Sequence, residues 1–203
     1  MMVTKLPLAV LLSASMLLSG CTVVDLDENG QPILPKDPAA KASFSSQTPQ
    51  QIAQENWDSR VLKGAQDRAL TWNDMKNKST ALKAETSSSV FVKATGTVTA
   101  VSDDAERERL LTVTINGESV PVAIGPVIRS NAIRDAAGFK FEEFTNQVQF
   151  ARLTKALNQQ NVQQLPKIDG SWVGKPVQLT LAVTLQPQRI EDAVAVVIKQ
   201  EQP

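Results

Sequence analysis

Cys21, set directly behind Leu18-Ser19-Gly20, is the residue whose surroundings specify a reaction most sharply. It is the only cysteine in the chain. Ahead of it lie a short basic leader, residues 1–5, and an apolar run, residues 6–18, broken only by Pro7, Ser13 and Ser15. That is the layout of a secretory signal peptide, and the run is too short to span a membrane. Leu-Ser-Gly-Cys looks like a bacterial lipobox. In proteins with that box the sulfur takes a diacylglyceryl group, the leader is cut before the cysteine, and the new amine is acylated, with palmitate as the expected chain. One acyl chain holds a protein marginally and two hold it firmly. The alternative is an ordinary cleaved signal with an incidental cysteine. Thr22, rather than an aspartate, follows Cys21, which favours the outer membrane.

A second group of candidates lies between residues 125 and 150. Arg134, Asp135, Asn146 and Gln147 stand there among four phenylalanines, Phe139, Phe141, Phe144 and Phe150. Polar groups against aromatic walls can orient a ligand. They can equally form a structural cap, with the phenylalanines as core and the polar groups bonding loop backbone. Glu142 and Glu143 are adjacent, so they point apart on a helix or strand and make a poor pair for glycoside hydrolysis. Asp25-x-Asp27-x-Asn29-Gly30 matches half of a calcium loop, but Lys36 stands where that loop needs a bidentate glutamate. A tight turn at Asn29-Gly30 explains it better. No metal and no cofactor is expected.

Composition narrows the chemistry further. The chain has no histidine and no tyrosine, and with Cys21 lipidated no thiol remains. Histidine is the side chain that most readily moves protons near neutral pH. Loss of residues 1–20 removes one lysine and leaves 20 basic against 21 acidic residues. A near-neutral chain offers no electrostatic footprint for nucleic acid. Carboxylate, lysine or serine chemistry stays open, and the expectation is a binding or accessory protein and not an enzyme.

The elements that must position these residues follow from local pattern. Residues 1–20 are the signal, and residues 21–48, rich in proline and small polar residues, read as a flexible tether. Thr48-Pro49-Gln50-Gln51 offers a helix cap, and Trp57, Val61, Ala65, Trp72, Met75 and Leu82 recur at helical steps, predicting an N-terminal helix over 49–84. Arg68 and Ser79 interrupt that stripe, and Gly64 is a candidate bend. From residue 90 the period becomes strand-like. Strands are expected at 90–101, 110–115, 119–124, 177–185 and 190–199, with Asn116-Gly117 as a hairpin turn. Between the third and fourth come two helical pieces, one capped by Ser130 and ended by Gly138, the other starting near Asn146. Three strands, a helical insertion and two strands predict, over residues 85–203, an OB-like five-stranded barrel, a mainly β fold with α. Gly96 suits a bend in its first strand. The alternative is an open α+β sheet with helices on one face. The expected strands hold too few aromatics for a surface on which bases stack.

On the Ile-Gly-Pro-Val-Ile run from Ile124, on Ala132-Ile133-Arg134-Asp135, and on Phe144-Thr145-Asn146-Gln147-Val148, the chain resembles a family of predicted periplasmic bacterial lipoproteins. Gly174-Lys175-Pro176-Val177 and the lipobox agree, so the resemblance spans most of the mature chain. Ser130 departs from it, since a glycine is expected after Ile-Arg. Members are often encoded beside sugar ABC transporters, which implies a protein partner in sugar uptake. The resemblance implies no catalytic residues. The resulting expectation is a membrane-held envelope protein, tethered at Cys21, that serves as an accessory or interaction module. The alternative is a small-ligand, sugar-like binder using a cleft between barrel and helical cap.

Overall fold

Alternating inward and outward side chains from residue 88 onward close on themselves. The structure is a computed structural model that describes residues 44–102 and 108–201. Cys21, most of the tether and part of the charged loop after residue 102 lie outside the described residues. The strands are β1 (Leu70–Thr71), β2 (Ser88–Val101), β3 (Glu108–Ile115), β4 (Glu118–Pro126), β5 (Pro176–Gln186) and β6 (Arg189–Gln200). β2 pairs antiparallel with β5 from Ser88 to Thr97, then with β3 from Thr97 to Val101. β3–β4 and β5–β6 are antiparallel hairpins, and β4 meets β6 in parallel at Ala123 and Val194. The circuit β2-β3-β4-β6-β5-β2 is therefore closed, an OB-like five-stranded barrel, and the open-sheet alternative falls.

Two local features make the closure work. β2 changes partner at Gly96–Thr97, and a Cβ on Gly96 would lie 2.5 Å from the Thr114 carbonyl oxygen. Only glycine permits that approach. Asn116 and Gly117, at φ 48° and 83°, form the tight turn that joins β3 to β4. Inside the barrel Val92, Leu111, Val113, Val122, Leu181 and Leu185 are fully or nearly fully buried. On the opposite face of the same strands, Phe91, Ala182 and Val194 join a second apolar cluster beneath the helices.

The helix expected over 49–84 is interrupted. α1 (Pro49–Asn56) starts as the sequence indicates, with the Thr48 hydroxyl accepting from the Gln51 N–H and the Gln51 side chain accepting from the Thr48 N–H. It continues through a π-helical stretch (Trp57–Leu62) into α2 (Lys63–Asp67). The chain then leaves the helix, β1 adds in parallel to β2, and Thr71 caps α3 (Trp72–Ala81). The stripe is thus shared between two cores. Trp57, Val61 and Ala65 pack on the outer barrel face, whereas Trp72 and Met75 join the interior cluster. Gly64 lies inside α2, where a Cβ would meet the Arg68 guanidinium at 2.5 Å and the Phe91 ring at 3.2 Å. The packed domain also begins before residue 49. Phe44 is only 7% exposed and belongs to the outer cluster. Between β4 and β5, the third and fourth barrel strands, lies the expected insertion, with α4 (Ala132–Ala136) and α5 (Gln147–Gln164). α5 packs along α1.

Candidate functional site

The insertion brings three of the four candidate polar residues into contact with neighbours in the fold. Arg134 donates from Nε to Asp135 Oδ1 at 2.8 Å and from a guanidinium nitrogen to Thr154 Oγ1 at 3.0 Å, and its guanidinium lies 3.9 Å from the Phe150 ring centre. Thr154 in turn donates to Asn131 Oδ1 at 3.0 Å. A guanidinium over an aromatic face is attracted by the ring quadrupole. Asn146 caps α5, its Oδ1 accepting from the Gln149 N–H at 2.8 Å. Gln147, at the first turn, is exposed. Ser130 sits one residue outside the α4 cap position, accepting from the Ala132 N–H and donating to Asp192 on β6. Its backbone is not among the positive-φ positions of the described residues, so no glycine is needed there. Gly138, at φ 79°, does end the α4 turn.

The phenylalanines divide. Phe139 and Phe144 are buried and enclose Phe44 at centroid distances of 6.1 and 5.2 Å, while Phe141 is 45% exposed against the edge of Phe150. Arg60 lies 4.5 Å from the Phe139 ring centre and grips Glu143 with two hydrogen bonds, of 3.0 and 2.5 Å. Burial pushes the Glu143 carboxyl up, but the Arg60 guanidinium and the Lys140 backbone N–H outweigh it and hold the group below its ordinary value. Glu142 is exposed and takes no part. The Gln149 side chain donates to the carbonyls of Phe44 and Gln47, both at 2.9 Å, and ties the entering chain to α5. Asn158 and Asn161, buried on α5, donate to the backbone of Ile128 and Ala195. Phe44, Arg60 and the two asparagines carried no sequence signal, because each gains its meaning from a partner 30 or more residues away.

A cavity of ligand size lies elsewhere. A groove of about 510 Å³ runs over the outer face of β2, β5 and β6. Its walls include Thr71, Trp72 and Asn73 at the start of α3, and Ile115 and Asn116 at the hairpin tip. Lys93 on β2 stands opposite Thr180, Thr95 opposite Gln178, and Gln178 opposite Lys199. β2 pairs with β1 as far as Lys93 and with β3 only from Thr97, so among the described residues 94–96 have no strand neighbour on that edge. None of Arg134, Asp135, Asn146 or Gln147 lines this groove. Nothing in the sequence gathers its residues, which come from β1, α3, β2, the β3–β4 hairpin, β5 and β6. Among the described residues no cluster of three metal-ligating side chains occurs, and no helix is long and apolar enough to cross a membrane.

A family model described as "Predicted periplasmic lipoprotein (DUF2291)" matches residues 11–199. No curated protein matches the sequence.

Proposed function

The chain belongs to this family of predicted periplasmic lipoproteins, and from that premise we propose a non-enzymatic accessory module, acylated at Cys21 and held on the outer membrane, that serves a sugar-uptake system through contacts made by the barrel. The observation that carries the reading is the contrast in lining. The groove on β2, β5 and β6 presents lysine, hydroxyl and amide side chains with no carboxylate, cysteine or histidine among them, a set that favours binding over proton transfer by a carboxylate or imidazole. The cap supports the same reading from the other side. Arg134, Asp135 and Asn146 bond within the insertion, which supports a structural part for them. A second reading, a small-ligand binder, is favoured by the same groove rather than by a cleft beneath the cap, where Phe91, Ala182 and Val194 fill the contact between barrel and helices.

Photo-crosslinking in cells tests this. A photoreactive side chain at Thr95 or Gln178 should give an adduct with a component of a sugar transporter, and one at Gln147 should not. Cys21→Ser should abolish the adduct by releasing the protein from the membrane. Adducts only from Gln147, or none from either groove position, would sink the proposal.

A further inference from the structure

We infer that the groove on β2, β5 and β6 is a binding site for a small organic anion bearing hydroxyl groups, a carboxylate or phosphate ester of sugar size. The inference rests on the binding role proposed above and gives it a ligand class. Four observations carry it. The cavity, at about 510 Å³, falls within the range of small-molecule sites. Two of its lining residues, Lys93 and Lys199, are cationic and none is anionic. Among the described residues neither lysine forms an ion pair with a carboxylate. Lys93 does donate to the Gln66 carbonyl at 2.8 Å, which fixes the ammonium while leaving two of its three donors free.

The second group of lining residues supplies orientation. Asn73, Thr95, Asn116, Gln178 and Thr180 offer both donors and acceptors, which is what a ring of hydroxyls requires. Trp72, another lining residue, is 5% exposed and packs with the interior cluster, so it gives the groove an apolar wall. Two carboxylates bond to lining residues from outside the lining. Glu201 accepts from Gln178 at 3.2 Å, and Asp74 accepts from the Thr71 hydroxyl at 2.7 Å. The start of α3 is therefore occupied by its own side chains, and the lysines supply the positive charge.

Isothermal titration of the lipid-anchored protein in detergent micelles tests the assignment, with D-glucuronate and glucose 6-phosphate as probes and neutral D-glucose as reference. The expected result is saturable binding of at least one anion, roughly tenfold or more tighter than glucose. Whichever anion binds better separates carboxylate from phosphate recognition. The double variant Lys93→Met/Lys199→Met should weaken that binding by roughly tenfold or more with an unchanged melting midpoint. Lys167→Met, a cation outside the groove, should leave it intact. If the double variant lowers the midpoint, Thr95→Ala/Gln178→Ala carries the same test. Equal affinity for glucose, no saturable signal from either anion, or full binding by a well-folded groove variant would overturn the ligand class. Crosslinks from Thr95 and Gln178 remain an independent readout. Their persistence alongside failed titrations removes the anion and keeps the accessory role, and their loss removes both.

Discussion

The helical cap and the groove lie on the same barrel, and they use polar side chains in opposite ways. In the cap, Arg134, Asp135, Thr154 and Asn131 form a closed chain of bonds, and Arg60 with Glu143 forms another. In the groove, Lys199 and Thr180 face outward with no side-chain bond among the described residues, and Lys93 holds only a backbone carbonyl. Satisfied polar groups bring rigidity, and unsatisfied ones at a concave surface bring recognition. A dense run of polar and aromatic residues in a sequence is therefore a poor guide to a binding site when its members can satisfy one another.

Substitutions in the two regions should separate cleanly. Leu157, fully buried between α5 and the barrel, should show the largest effect: Leu157→Ala is expected to cost about 2–5 kcal/mol by chemical denaturation. A loss under about 0.5 kcal/mol would mean the cap is only loosely joined to the barrel. Arg134→Ala comes next. It leaves Thr154 and Asp135 without their donor and should cost about 1–3 kcal/mol while leaving crosslinking from the groove unchanged. An unchanged melting midpoint together with a lost cellular role would move Arg134 out of the structural cap and into a recognition surface.

The pH response of the cap should be smaller. Glu143 titrates below its ordinary value in the folded protein, so the stability it contributes is present above the unfolded carboxylate pKa and is lost as pH falls through the depressed one. Wild type should therefore lose part of its stability on acidification that Glu143→Gln does not lose. The variant should be weaker near neutral pH by about 1 kcal/mol, since the pair is only partly buried. Parallel pH profiles for the two proteins would remove the Arg60–Glu143 pair from the account. Smallest of all, exposed Gln147→Ala should change stability by no more than about 0.5 kcal/mol. A larger loss there would make the cap residues more alike than their burial indicates.

What the sequence disclosed was local. The Thr48–Gln51 cap, the Asn116-Gly117 turn and the alternating strands each depend on neighbours a few residues away, and each is found where pattern places it. The break after Asp67 was hidden because Trp72 and Met75 keep helical spacing from Ala65 while packing into a different core. Phe44 was hidden by its setting, one aromatic in a run of serine, threonine and glutamine. The groove was hidden most completely. Its rows are assembled by strand register, Lys93 with Thr180 and Gln178 with Lys199, and register across distant strands leaves no mark in the order of residues.

Phe44 also determines how mechanical load would enter the molecule. Among the described residues, a tension applied to the chain from its N-terminal side meets this ring first. There the Phe44 N–H holds the Glu143 carbonyl, and the Gln149 amide holds the carbonyls of Phe44 and Gln47. Those bonds join the entry point to the insertion and to α5, and none of them runs through a barrel strand. A pull from the N-terminal side of the described residues would therefore load the aromatic corner and α5 before it reached β2.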